Sequence, residues 1–393
     1  MNLDKKMIKN NIPRIRFNNF EAFWVENRIA DIVKISAGGD VDKVKLKESG
    51  KYPVVANSLT NKGIVGFYDD YKVKSPAVTV TGRGDVGYAV ARHENFTPIV
   101  RLLTLQSEKI DVDYLENQIN SMRILNESTG VPQLTAPQLG NYKVYHPKIE
   151  EQSAIGTLFR TLDDLLSSYK DNLANYQSFK ATMLSKMFPK AGKTVPEIRL
   201  DGFEDEWEKG TIGEFGSFYY GKSAPKWSVT DEATTPCVRY GELYTKFSTK
   251  IDKIYSYTSI PKENLKLSSG NEVLVPRVGE NPLDFANCSW LSLKDVAIGE
   301  MISVYNTPNN PLFIAYYFNA KMRKEFAKRV EGGSVANLYY TYLENISISV
   351  PSLPEQQAIG SYFSNLDNLI NSYQEKISQL ETLKKKLLQD IFI

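Results

Sequence analysis

Apolar residues recur on a helical period in two long stretches of the chain. In the second, Ile359, Phe363, Leu366, Ile370, Tyr373, Ile377, Leu380, Leu387 and Ile391 follow one another mostly at steps of four and three. That spacing is the heptad of a coiled-coil seam. Pro354 suits the first helical turn, and Glu355 suits the positive end of the helix dipole. The first stretch places Ile155, Phe159, Leu162, Leu166, Tyr169, Leu173, Tyr176, Met183 and Met187 in the same order, each 204 residues earlier. Over residues 151–169 and 355–373, 11 of 19 positions are identical without a gap. Lys180 and Lys384 share one a/d slot, beside Phe179 and Leu383. A charged seam position either fixes register at a cost in stability or marks a drift of the seam onto Phe179 and Leu383. The pattern leaves both open.

Outside these stretches the period shortens. "YPVVAN", "KGIVGFY", "SPAVTV", "VGYAVA" and "IVRLLTL" predict strands between Gly/Asn/Asp turns, and "DVDYLENQINSMRILN" predicts a helix capped by Asp111 or Asp113. Further on, "TPCVRYGELY", "NEVLVPRVG", "DVAIGEMISVY" and "NISISVP" predict strands, and "NNPLFIAYYFNAKMRKEFAKRV" predicts a helix with Pro311 near its start.

The repeat reaches beyond the helices. The segment from Glu127 matches that from Glu331 at the same offset, with Leu134/Leu338, Leu139/Leu343 and Asn141/Asn345 coinciding. "IPRIRFNNFEAFW" from Ile12 matches "VPEIRLDGFEDEW" from Val195 at an offset of 183. The chain is therefore one unit written twice, a variable mixed α/β part followed by a long helix, and the second variable part is about 21 residues longer. This gives an α+β fold with four segments: 1–148, 149–190, 191–352 and 353–393. A lone heptad helix commonly serves homodimerisation. Two copies in one chain point equally to an intramolecular pair, antiparallel if a pseudo-two-fold relates the halves. At ~1.5 Å per residue, a helix of roughly 38 residues spans about 57 Å, longer than one turn of duplex DNA at ~34–36 Å.

Composition narrows the class. With 393 residues, 42% hydrophobic and 24% charged, the chain fits two or three globular domains. It has no apolar run long enough for a membrane span. "MNLDKKMIKNNIPRIRF" is basic without the apolar core of a signal peptide. The two cysteines, Cys237 and Cys288, are far apart and fit a reducing cytoplasm better than a disulfide framework. The net charge of +2 announces no polyanion partner; residues 1–148 hold 21 basic against 16 acidic side chains, residues 191–353 hold 18 against 20. Any nucleic-acid surface is then a local patch.

No catalytic motif survives scrutiny. "GRGDVG" from Gly82 satisfies G-x-G-x-x-G, but the following "YAVARHENF" reads as a strand, so the helix N-terminus needed for a pyrophosphate is missing. It fits a hairpin loop presenting Arg83. "NPLF" from Asn310 lacks the second proline of an N-P-P-F/Y methyltransferase loop and fits a helix start. Two histidines, His93 and His146, cannot build a His-rich metal site. The acids Asp163 and Asp164 lie on the heptad helix, where solvation or a partner contact is the usual role.

The variable–helix–variable–helix layout, with "EEQSAIG…LDDLLSSY" and "PEQQAIG…LDNLINSY" at the helix starts, resembles the specificity subunits of type I restriction–modification enzymes across essentially the whole chain. "YPVVANSLTNKGIVGFYDDY…AVTVTGRGDVG" looks like one class of target recognition domain, and "PCVRYGEL" with "VLVPRVG" looks like another. The resemblance implies that each variable part reads one half of a split, asymmetric double-stranded DNA site. It implies helices that set the spacing between halves. It also implies two adenine-methylating partner subunits and motor-nuclease partners, with S-adenosylmethionine, ATP and Mg on those partners and no cofactor, metal or catalytic residue on this chain. The competing readings are a coiled-coil scaffold and a standalone DNA-binding module without a methyltransferase partner.

Phosphate contact needs Lys/Arg or loop amides, and base readout needs Arg, Lys, Asn, Gln or Tyr on exposed loops. On that ground the candidates are Lys51, Asn57, Lys62, Arg83 and Arg92 in the first domain. In the second they are Lys222, Lys226, Arg239, Tyr240 and Arg277, with Lys328 and Arg329 from the basic helix end. Arg83 and Arg277 both follow strands in Gly-containing loops, which suggests equivalent positions. For each, a solvated surface charge is the competing reading.

Overall fold

The computed structural model describes residues 12–124, 132–222 and 224–392. The basic residues 1–11 and part of the segment from Glu127 (residues 127–131) lie outside that range. The described residues form two compact units: the chain up to Asp171 together with the stretch from Gln374 onward, and Asn172–Tyr373. The boundary falls inside both long helices.

In the first unit, β1 (Val25–Arg28) pairs antiparallel with β9 (Lys143–His146). A four-stranded sheet follows the order β2 (Lys34–Ala37), β8 (Leu103–Gln106), β5 (Ala77–Val80), β6 (Ala89–Arg92). A smaller sheet follows the order β4 (Ile64–Tyr68), β3 (Tyr52–Val55), β7 (Thr97–Pro98). Helix α1 (Val112–Ser121) packs on β5 and β6. Alternation decides the faces: Val78 and Val80 of β5 join Leu103, Leu115 and Ile119 in one core. The long helix α2 (Ile149–Lys186) leaves this unit.

The second unit repeats the frame. β10 (Glu208–Thr211) pairs with β23 (Ser347–Val350). The larger sheet runs β11 (Ser217–Tyr220), β20 (Ile302–Asn306), β16 (Glu272–Pro276), β18 (Ser289–Leu291), β13 (Lys250–Ile251). The smaller runs β14 (Ser256–Thr258), β12 (Thr235–Val238), β19 (Lys294–Ile298), β15 (Leu267–Ser269). A ribbon adds β17 (Val278–Gly279), β22 (Ala336–Asn337) and β21 (Glu331–Gly332). The extra length sits largely between β12 and β16, 33 residues against 21 between β3 and β5, and there it builds β13 and β15. Two expectations need correction. "TPCVRYGELY" is a strand only to Val238, and Tyr240–Thr245 forms helix α3, because Glu242 reaches back to the Arg239 amide and closes a helical turn. The helix from Pro311 (α4, Pro311–Tyr317) passes through a π turn at Phe318–Met322 before resuming at Arg323–Ala327. Asn310 is its N-cap, as the helix-start reading of "NPLF" requires.

The C-terminal helix α5 (Leu353–Ile391) completes both units. In the first unit its far end runs antiparallel to the start of α2: Lys384 pairs with Asp163 at 2.5 Å and Lys170 with Glu381 at 2.7 Å. In the second unit its start runs antiparallel to the end of α2, where Lys180 pairs with Asp367 and Tyr176 packs on Tyr373. The seam question is thereby answered. Phe179 and Leu383 are exposed, while the two lysines stay half-buried and are neutralised across the seam by acids that are themselves 204 residues apart. Ile155, Phe159, Leu162, Leu166, Ile359, Phe363, Ile370 and Ile377 are buried, and Tyr169, Leu173, Leu366 and Tyr373 half-buried. Each fully buried apolar side chain of this size contributes about 1.5–3 kcal/mol.

The repeated "EQ…IG" motif is the joint between helix and domain. Glu151 accepts two bonds of 2.7 Å from Arg16 and one of 3.4 Å from the Trp24 indole. Glu355 accepts 2.8 and 2.7 Å bonds from Arg199 and one of 3.3 Å from Trp207. Both carboxylates are buried, and the hydrogen bonds they accept raise the pKa of Arg16 and Arg199 above the ordinary guanidinium value. Gln152 accepts from the Asp111 amide and donates to the Pro147 carbonyl; Gln356 does the same with Asn310 and Pro351. A Cβ at Gly156 would lie 2.5 Å from Asp111 Oδ1, so glycine lets α2 dock on the start of α1. Phe392 closes the first joint against Phe159 and Tyr114, and Phe188, 204 residues earlier, closes the second against Phe363 and Phe313.

Candidate nucleic-acid interface

The two frames can be superposed by hydrogen bonds alone. The Gly38 amide donates to the Leu102 carbonyl, and Gly221 to Ile302. The Ile99 amide donates to Val55, and Gly299 to Val238. The Leu134 amide donates to Gly82, and Leu338 to Arg277. In each unit these bonds tie together the same five segments at one end of the sheets. At Gly38 an added Cβ would lie 2.7 Å from the Ile99 amide nitrogen, and at Gly221 it would run into the Gly299 carbonyl, which is why glycine stands at both crossings.

In the first unit this end carries Asn57, Lys62, Arg83 and Arg101. Asn57 ties two loops together: its amide donates to the Val100 carbonyl at 2.6 Å, and its oxygen accepts from the Gly82 amide at 2.7 Å. It is a strut, with its side-chain groups engaged. Asn61, Lys62, Val100 and Arg101 all adopt positive φ, and Asp295 is the only other described non-glycine residue that does. Such strain is held only where surrounding structure enforces it, and it concentrates at functional loops. Arg83 and Arg101 are exposed and in no ion pair among the described residues. The hairpin reading of "GRGDVG" holds, with Gly84 and Gly87 at positive φ between β5 and β6.

Arg92 is not at this surface. It is buried, donating to Thr79 Oγ1 at 3.0 Å and to the Lys62 carbonyl at 2.6 Å. Burial lowers its pKa to about 10, with Glu116 pulling the other way. Its role here is to prop the Lys62 loop from beneath. Lys51 lies at the opposite end of β3, with its ammonium 5.1 Å from the Tyr52 ring centre.

In the second unit the same end carries Lys222, Arg239, Tyr240 and Arg277. Lys222 is exposed, with its amide on the Ile298 carbonyl. Arg239 and Tyr240 sit where β12 turns into α3, above the buried Glu242 carboxylate. The Tyr244 hydroxyl donates to the Val278 carbonyl at 3.0 Å, tying α3 to the Arg277 strand. The Arg277 guanidinium lies 4.4 Å from the Tyr220 ring centre and 5.4 Å from that of Tyr339. Arg83 and Arg277 are not equivalent, contrary to the sequence expectation. Because Leu134 and Leu338 bond to Gly82 and Arg277, the position matching Arg277 is Gly82, and Arg83 matches Val278. Neighbouring strand residues face opposite ways, so the two arginines address different sides.

Lys226 starts a short turn whose Ser228 bonds Thr258 at 2.8 Å, at the end of β12 away from Arg239. Lys328 and Arg329 share one carboxylate, Glu325, at 2.7 and 2.8 Å, which offsets only part of their combined charge. Sequence reasoning missed Arg101, which only its backbone strain marks, and Trp227, which is 73% exposed beside Lys226. It also missed the Tyr220–Arg277–Tyr339 stack, which joins residues far apart in the chain. Among the described residues no three His, Cys, Asp or Glu side chains gather as a metal site, and no helix is long and apolar enough to cross a membrane. Both cysteines are free and buried, and burial raises the Cys237 thiol to about 11.

The family described as type I restriction modification DNA specificity domain matches twice, over residues 22–175 and 204–382. The MjaVIII type I restriction enzyme specificity subunit of Methanocaldococcus jannaschii is 22% identical over 93% of this chain and 91% of its own length. A putative type I specificity subunit of Mycoplasma genitalium is 19% identical over 97% and 96%. A crystal structure of a type I restriction–modification S subunit from M. genitalium aligns with a TM-score of 0.66 at 16% identity, covering 97% of this chain and 99% of that one, and shares the fold.

Proposed function

Because this chain belongs to the type I restriction–modification DNA specificity family, with two recognition domains and no catalytic role of its own, we propose that each domain reads one half of a split, asymmetric DNA site. The observation that carries this is one frame bearing two unlike loop sets. Gly82 and Arg277, or Asn57 and Tyr240, stand at matching positions and present different chemistry. Different donors and acceptors select different base edges. The lysines and arginines without acidic partners at these loop ends supply phosphate contacts that fix register on the duplex. In this proposal the matched helices set the spacer and offer two related surfaces to two methyltransferase subunits, with motor-nuclease subunits joining them in the cytoplasm. S-adenosylmethionine, ATP and Mg act on those partners.

The test is co-expression with the partner methyltransferase, followed by sequencing of modified adenines. The expected outcome is methylation within one two-part motif whose halves differ. Methylation at a single continuous motif, or none, would sink the proposal.

A further inference from the structure

We propose that Arg277 reads a guanine in the half-site taken by the second recognition domain. The inference rests on the function proposed above and names the base chemistry of one position. Arg277 leaves β16 at the loop end of the sheet, and its backbone is pinned on both sides. Its amide donates to the Met301 carbonyl at 3.2 Å, and its carbonyl accepts from Leu338 at 2.9 Å. The side chain is held too. Tyr220, from the edge strand β11, and Tyr339, just past β22, both lie within stacking range of the guanidinium. Tyr220 is itself packed 4.6 Å from Tyr340, which stacks on Phe218.

The Nε atom is fully buried and has no hydrogen-bond partner among the described residues, although the residue as a whole is half-exposed. A guanidinium offers two bidentate edges, Nε with one Nη or the two Nη atoms together. Burial of Nε removes the first, which leaves the Nη1/Nη2 edge for an incoming ligand. No acidic side chain pairs with it among the described residues. A planar, pre-set, unneutralised Nη1/Nη2 fork fits the O6 and N7 acceptors of guanine in the major groove. A phosphate would accept the same fork but would give no sequence preference. Stacking on two rings favours readout, because it fixes the fork in one plane before DNA arrives.

The experiment uses the full chain with its methyltransferase partner and maps the methylated motif for the parent, Arg277→Lys and Arg277→Ala. The parent motif is expected to contain a G·C pair in one half. In both variants discrimination at that pair is expected to fall about tenfold or more, while the other half is unchanged. Arg277→Lys keeps the charge and the stem, so it separates readout from folding and from phosphate attraction. A second arm leaves the protein untouched. Binding of the parent complex is measured on DNA carrying 7-deazaguanine at that pair, with at least about tenfold weakening expected. A half-site without G·C, an unchanged motif with Arg277→Lys, evenly reduced methylation at all sites, or full binding to 7-deazaguanine DNA would each overturn the inference. Those outcomes leave the two-part reading standing, whereas absence of any two-part motif overturns both.

Discussion

Glu116 on α1 shows how the repeated frame strains individual residues. It is half-buried between β6 and the seam, where burial pushes its carboxyl pKa up to about 7, helped by Asp163 and Asp113 and opposed by the Ala91 backbone and Lys384. The folded state therefore holds a proton that the unfolded chain releases near pH 4.5. The associated stabilisation is complete below that pH and is lost as pH rises to about 7. Glu116→Gln should match the parent near pH 4.5 and exceed it at pH 8 by about 1–2 kcal/mol, after allowance for partial solvent screening. Denaturant titrations at the two pH values would show it. Equal stability at both would mean that the charge costs nothing there. Arg92, one layer away, explains why residue type alone misleads. In sequence it resembles a loop-end cation like Arg83, and only the tertiary fold shows that β6 turns it inward beneath Lys62.

At the scale of elements, helix and joint are what sequence reveals best. A heptad seam leaves a periodic trace because burial repeats every three or four residues, and Ile155, Phe159, Ile359 and Phe363 are buried as the spacing requires. The arginine and tryptophan shared by "IPRIRFNNFEAFW" and "VPEIRLDGFEDEW" are the partners of Glu151 and Glu355, so identity at two offsets already marked both ends of one contact. Loops behave otherwise. The false equivalence of Arg83 and Arg277 came from matching glycines, whereas register is set by backbone bonds that carry no sequence signature. The joint makes a sharp prediction about Phe392, which is buried near the chain's end against Phe159 and Tyr114. Phe392→Ala should destabilise the first unit by about 3–5 kcal/mol, as Phe188→Ala should the second. Urea unfolding checks both, and a cost below about 1 kcal/mol for Phe392→Ala would show that this ring contributes little packing to the joint.

At the scale of the whole molecule, the proposed function rests on one frame kept and its loops varied. The buried Arg–Glu–Trp joints are alike in the two units, while the loop ends differ in length, charge and backbone strain. Removing one partner from such a buried pair costs about 3–5 kcal/mol, so the joints tolerate little change while the loops are free to diverge. The direct test is to replace residues 25–150 with residues 208–354, keeping Arg16, Trp24 and Glu151, and to map methylated adenines after co-expression with the partner methyltransferase. The account predicts a motif in which both halves carry the sequence originally read by the second domain. An unchanged asymmetric motif, or loss of methylation by a chain that still folds and assembles, would contradict it.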